Sequence, residues 1–464
     1  MSAPVIWIGI PLVFSLGVIL MRVRQPLANY LVMGLSAALS FIALVVPIST
    51  VVSFGLFSIE ISSTLDFFGR KFVLDAGDGY LLFLVYSLAL FWFVGGFIIE
   101  TNPNFIPLGL GIISLFVAAI AVEPFLYAAL LIEMAVLLSI PIFVSPGRIL
   151  GQGVLRYLIF QTLALPFILL AGWAMARVEV NPANIEFLHQ AILLLGLGFA
   201  FWLAIFPFYS WIPLLVEEVS PYVSGFILTI APSFVLLLML DFLDAFTWLR
   251  DYPYLLQILR YSGVLMVATG GLWAAFQKNI ARLFGYGVII ENGFSLLSLS
   301  LLNQTGLQIF ILSFIPRTLA LALWAFALSV INKKYPSDFQ SNKGLLRKLP
   351  FASLGLIFAS LSISGMPLFA AFPNRQILLD FISKDSLFVA LWMVLGSIGF
   401  LLSSLRILSN FATSDQNTWE IGENRAHIFI LSMGGIGLIF MGIFPSWVMP
   451  QMLTLLEKYQ HLWR

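Results

Sequence analysis

Apolar segments of about 20 residues recur from one end of this chain to the other. They fall roughly at 4–22, 28–47, 80–99, 105–122, 124–144, 153–176, 187–210, 221–241, 256–277, 280–302, 306–331, 350–383, 385–408 and 427–449. A helix of about 20 apolar residues crosses the hydrocarbon of a bilayer. In lipid every backbone N–H and C=O needs a partner, which a helix supplies within one segment. The pattern therefore predicts an all-α membrane protein with about 14 spanning helices. Composition agrees: 61% of the 464 residues are hydrophobic and only 10% are charged, far from the make-up of soluble domains.

The first segment has no basic residues before it, and its arginines follow the apolar run. It reads as a first spanning helix and not as a cleaved signal. Two stretches interrupt the apolar pattern: 48–79, and the polar, basic loop 332–349. Loops on the side away from the N-terminus hold more Lys and Arg, including Lys278, Arg282, Lys333, Lys334, Lys343, Arg347 and Lys348. Both termini are thus expected to face away from the cytoplasm.

Several functions are excluded early. A net charge of +1 gives no footprint for nucleic acid. Without cysteine the chain carries no disulfide and no Cys-ligated iron–sulfur cluster. The histidines His189, His427 and His461 fall near segment ends, which does not suit a haem held within the bilayer. The Gly-rich run 434–437 lies inside an apolar segment and lacks the strand–turn–helix setting of a dinucleotide site. No cofactor, metal ligand or catalytic residue is expected.

The stretch Gly198 to Ser224, GFAFWLAIFPFYSWIPLLVEEVSPYVS, begins as an apolar helix. Pro207 and Pro213 break it, Glu217 and Glu218 follow, and a new helix opens at Ser220-Pro221. A proline inside a helix removes a hydrogen bond and clashes with the preceding turn. Such breaks at membrane depth survive only where protein or water satisfies the freed backbone. Transporters build ion paths at broken helices. A second break is expected in 350–383, too long for one span, at Gly365, Pro367 and Pro373. The breaks lie about 160 residues and five helices apart. An odd number of helices per repeat would invert the two halves in the membrane.

Ionisable residues inside the membrane are costly and mark function by default. Glu133, Glu291, Arg317 and Arg375 stand well inside their segments. Arg156, Glu217, Glu218, Lys278 and Arg406 lie nearer segment ends, where relay and structural roles are both open. At about 1.5 Å of rise per residue, Glu291 sits about 13 Å from one end of its helix and Arg317 about 16 Å from the opposite end of the next. Both fall near mid-bilayer, and a Glu291–Arg317 pair is expected.

These segments resemble the antiporter-like membrane subunits of respiratory complex I, a family shared with multisubunit sodium/proton antiporters and membrane hydrogenases. The resemblance covers roughly residues 100–410. Segment 198–224 resembles that family's GFA-x-K-x-x-x-FPFH-x-W-x-P…EAP-x-x-VS run. QKNIARLFGYGVIIENG, from Gln277 to Gly293, resembles its Q-x-DIKR-LLAYSSI-x-x-x-G run. GMPLFAAFPNR, from Gly365 to Arg375, resembles its G-x-PP-x-x-GF-x-x-K run. The resemblance implies 14 helices, with helices 7 and 12 broken. It divides the chain into helices 1–3 at 1–100, one five-helix repeat at 101–245, an inverted second at 246–410, and a last helix in 411–464. It also implies a mid-membrane row of charges that relays protons, onto which Glu133, Arg375 and Arg406 map. The departures are serious. Relay lysines or histidines of the family fall on Trp202, Ser233, Ala281 and Ala320, and Trp and Ala cannot carry a proton.

The implied function is that of a membrane-arm subunit of a complex-I-like, redox-driven proton or sodium translocator, with no redox chemistry of its own. Glu133 and Glu291 would carry protons, with Arg317 and Arg375 as fixed charges, because arginine stays protonated. The alternatives are a non-pumping scaffold of the same complex and a stand-alone secondary antiporter. The expected partners are other membrane subunits and lipid. The expected location is the cell inner membrane, with thylakoid and mitochondrial inner membranes as alternatives.

Overall fold

The computed structural model has at least one helix for each apolar run. It describes residues 2–21, 24–54, 57–144, 147, 149–181, 184–413, 419, 421–447, 452, 459 and 462. His461 lies outside them. A π turn, Val5–Gly9, runs into α1 (Ile10–Leu20), followed by α2 (Gln25–Val45), α3 (Gly79–Ile99), α4 (Phe105–Ala121), α5 (Ala128–Phe143) and α6 (Gln152–Val180). Then come α7 (Ile185–Trp202), α8 (Trp211–Glu218), α9 (Pro221–Ala245), α10 (Leu255–Phe276), α11 (Ile280–Leu299), α12 (Gln304–Leu312) and α13 (Phe314–Asn332). The last four are α14 (Pro350–Ser364), α15 (Phe372–Asp385), α16 (Leu387–Ala412) and α17 (Arg425–Ile443).

Among the described residues, 11 helices are long and apolar enough to cross a membrane, counting α12 and α13 as one; three shorter apolar helices are Val5–Leu20, Phe105–Ala121 and Pro350–Ser364. The fold is that of an all-α, multi-pass membrane protein. Region 48–79, which the sequence leaves without spanning structure, is not helical over most of its length. It forms two antiparallel hairpins, β1 (Val51–Phe54) with β2 (Phe57–Glu60) and β3 (Thr64–Phe67) with β4 (Arg70–Val73). The second is extended by β5 (Val122–Glu123).

Burial divides the helices. α4 and almost all of α9 are enclosed, whereas α17 keeps only Leu431, Gly435 and Leu438 buried. Lipid tails are as apolar as leucine, so helices in a membrane associate through close packing of small residues. α10 and α16 show this: a Cβ on Gly271 would lie 1.9 Å from the Gly396 carbonyl oxygen. Only glycine permits that approach.

Candidate functional site

The broken segment in the second half builds the site. Gly365 ends α14 with a left-handed backbone (φ 77°), which glycine adopts without a steric cost. Residues 366–371 cross the gap and α15 begins at Phe372. Pro373 lies in its first turn, where a missing N–H is no loss because that turn's donors are unpaired anyway. The same holds for Pro213, inside the first turn of α8. Both prolines therefore open the second half-helix instead of lying in the gap, which corrects the sequence reading of them as breaks. Pro207 and Pro367 do lie in the gaps. Each gap also holds a non-glycine residue with left-handed backbone, Ala204 (φ 51°) and Leu368 (φ 77°). Such strain costs on the order of 1–3 kcal/mol and gathers at functional sites.

Arg375 fills the space beside the second gap. Its Nη1 donates to the Ile363 carbonyl, one of the last four of α14, which have no partner inside the helix. Its Nη2 donates to Glu291 Oε1 at 2.5 Å. The guanidinium carbon sits 3.9 Å from the centre of the Phe294 ring. A Cβ on Gly365 would meet Arg375 Cδ at 3.0 Å, so glycine serves this position twice. Glu291 is 5% exposed and Arg375 9%.

Glu291 thus pairs with Arg375, not with Arg317 as helical depth suggests. Depth fixes height in the membrane but not azimuth around the helix. Arg317, 4% exposed, donates instead through Nη2 to Asn292 Oδ1 at 2.7 Å and through Nη1 to Ser295 Oγ at 3.4 Å. Its Nε has no hydrogen-bond partner among the described residues. All three charges line one small cavity of about 20 Å³, with Ser298, Ser313 and Asn374. That is room for a buried water. On the other side of Arg375 a cleft of about 340 Å³ opens between the gap and α16, lined in part by Ser364, Gln376 and Ser397.

The first half is built differently. α7 stops at Trp202, and Gln161 Nε2 donates to the Phe201 and Trp202 carbonyls at 3.4 and 3.3 Å. Phe201 stacks on Phe160 and packs at a tilt against Phe167 and Phe208 around this break. Glu133 is half-buried and accepts a 2.8 Å hydrogen bond from Thr162 Oγ1. Its Oε2 is buried with no hydrogen-bond partner among the described residues. Trp202, Ser233, Ala281 and Ala320 are all buried, and Ser233 donates to the Thr229 carbonyl.

Residues near segment ends have structural partners or none. Glu217 accepts from Arg282 Nε at 2.6 Å and from Asn279 Nδ2 at 3.0 Å. Glu218 accepts the Gly153 and Val154 backbone N–H at 2.7 and 3.3 Å, capping α6. Arg406 donates to the Ala275 carbonyl and lies over Phe339. Arg156 and Lys278 are exposed. Gln161, Thr162, Asn292 and Ser295 escaped the sequence reading. A signal existed for the last two: Asn292 adjoins Glu291, and Ser295 lies one turn on, on the same face. The pair of buried Arg260 with Asp385, which ties α15 to α10, was also missed. Among the described residues no three His, Asp or Glu side chains gather to hold a metal ion.

Comparison with known proteins places this geometry. The family described as "NADH:quinone oxidoreductase/Mrp antiporter, TM" matches residues 157–407. NADH-quinone oxidoreductase subunit N of Francisella tularensis subsp. holarctica is 26% identical over 269 residues, 56% of this chain and 54% of that one. The match thus spans about half of that relative's length. Subunit N of Cytophaga hutchinsonii is 23% identical over 385 residues, 78% of each chain. The structure of the membrane-bound sulfane sulfur reductase, an archaeal respiratory membrane complex, contains a chain of the same fold, with a TM-score of 0.83 at 16% identity over the whole of both chains.

Proposed function

The chain belongs to the NADH:quinone oxidoreductase/Mrp antiporter transmembrane family, and on that footing we propose that it is a membrane-arm subunit of a complex-I-like, redox-driven complex that translocates protons or sodium ions. The observation that carries this reading is the buried Arg375–Glu291 pair, set beside Arg317 on a water-sized cavity at a helix break. A buried ion pair is weak evidence for stability, since desolvation offsets most of its attraction. It makes better sense as a switch. α15 carries Arg375 on a half-helix with a strained gap behind it. A push from a neighbouring subunit that withdraws Arg375 leaves Glu291 without its counter-charge and favours proton uptake through the cavity. Return of the guanidinium expels the proton. Glu133 is the corresponding carboxylate of the first half, and Arg317 is a fixed charge.

The chain also supports a reading as two inverted five-helix units, 101–245 and 246–410, between three leading helices in 1–100 and a last helix in 411–464. The same proline spacing recurs at Pro207 and Pro213 and at Pro367 and Pro373. The location follows as an energy-coupling inner membrane, with both termini away from the cytoplasm. A second reading is a non-pumping scaffold of the same complex. Buried Trp202, Ser233, Ala281 and Ala320 favour it, because they leave few groups able to hold a proton at the positions where the family keeps its relay.

The experiment is the ratio of ions moved per electron in the reconstituted complex. Glu133→Gln and Glu291→Gln are each expected to lower it while electron transfer continues. An unchanged ratio in the fully assembled double mutant would sink pumping for this chain and leave the scaffold reading.

A further inference from the structure

The cavity between α11, α13 and α15 holds an unequal set of charges. Arg317 and Arg375 line it, and Glu291 is the one carboxylate among the described residues that does. Arginine stays protonated at any ordinary pH, so the ionised cluster carries a net +1. The elements packed around Glu291 bring no second carboxylate to the cavity. On α10, Arg260 is engaged with Asp385. On α8, Glu217 is engaged with Arg282 at the far end of the helix. On α16, Arg406 is bonded to the Ala275 carbonyl.

An uncompensated charge buried in hydrocarbon costs several kcal/mol. The surroundings raise the positive field further. The first turn of α15 forms one wall through Ala371, Asn374 and Arg375, and a helix presents the positive end of its dipole there. Arg317 Nε is a buried donor without a hydrogen-bond partner among the described residues. The serine hydroxyls on the wall spend their protons on backbone carbonyls: Ser295 on Glu291, Ser298 on Phe294 and Ser313 on Ile309. Asn374 Nδ2 spends one N–H on Ser313 Oγ at 3.2 Å, so what remains to donate into the cavity is the Arg317 guanidinium and the second Asn374 amide N–H.

We propose that this cavity binds one small monovalent anion, chloride or an ion of its size, and that its occupancy is linked to protonation of Glu291. The volume, about 20 Å³, admits one water or one halide and excludes larger oxyanions. Glu291 and the anion compensate the same excess charge, so they oppose each other. When Glu291 takes a proton the cluster rises from a net +1 to a net +2, and a bound anion brings it back to +1. When Glu291 ionises, its carboxylate supplies that negative charge itself and the anion is held less tightly. The proposal uses the carboxylate of the proposed relay but rests on the charge count and the cavity, not on pumping.

The test is thermal stabilisation of the purified protein by potassium chloride, titrated against potassium gluconate at constant ionic strength. Bromide is expected to replace chloride, and nitrate and sulfate are not. With one proton linked to one anion, apparent chloride affinity should rise as pH falls, by at most about tenfold per unit. Glu291→Gln should bind chloride more tightly and without pH dependence. Arg317→Gln should lose the response, and Arg317→Lys should retain part of it. No halide response in folded Glu291→Gln, or an undiminished one in Arg317→Gln, overturns the proposal. If Glu291→Gln lowers the ion-to-electron ratio yet shows no halide response, the relay stands and the anion site falls. A halide response with an unchanged ratio supports the site and removes the relay.

Discussion

Arg375 makes three contacts that only a planar guanidinium can make together: Glu291, the Ile363 carbonyl and the face of Phe294. Lysine keeps the charge but offers a compact ammonium without the fork. Arg375→Ala strands a buried carboxylate and is expected to cost about 3–5 kcal/mol. It should also lower the ions moved per electron. Arg375→Lys should do less harm on both counts. Thermal unfolding of the assembled complex and the coupling ratio, measured on both variants, check this; equal damage would mean that the charge is not what matters. That a buried charge belongs near the second break could be read in the sequence, because Glu and Arg in apolar runs are conspicuous. Who pairs with whom could not, since the choice between Arg317 and Arg375 depends on how α11 is rotated against α13 and α15.

The broken segments were legible as elements. Proline and glycine interrupt apolar runs at Pro207 and at Gly365 and Pro367, and the chain breaks there. Which proline sits in the gap and which opens the next half-helix depends on how the freed backbone groups find partners. The half-helix α14 shows such a partner from far along the chain. Glu423, 8% exposed, accepts the Ala352 backbone N–H at its N-terminus at 3.1 Å. Burial, above all, pushes the Glu423 carboxyl up from its ordinary range, against the pull of backbone donors and Lys334. A carboxyl raised in the folded state binds more protons folded than unfolded. Its contribution is therefore full below the ordinary carboxylate range and is lost as pH rises through the folded value. Glu423→Gln keeps the acceptor oxygen but cannot ionise. It should flatten the fall in stability that sets in as pH rises out of the ordinary carboxylate range, read by thermal unfolding of both proteins. Equal slopes would remove Glu423 as the cause.

At the scale of the molecule, the outward faces of α6 and α16 are apolar: Leu155, Ile159 and Trp173 on one, Phe388, Leu391 and Leu395 on the other, all exposed. In the proposed complex these faces would meet lipid or neighbouring subunits. Extraction from native membrane in mild detergent should yield the chain together with other membrane subunits, identified by mass spectrometry. Purification alone, with ion uptake in liposomes, would instead point to a stand-alone antiporter.

The sequence by itself determined the solvent, the class of fold and the places where helices break. Those properties follow from hydropathy over about 20 residues and from local proline and glycine chemistry, both of which act along the chain. Tertiary structure alone decided the Arg375–Glu291 pair, the Gln161 bonds that close the first break and the two hairpins in 48–79. Each joins residues whose meeting depends on helix rotation and packing, and those are set by the whole bundle, not by any one segment.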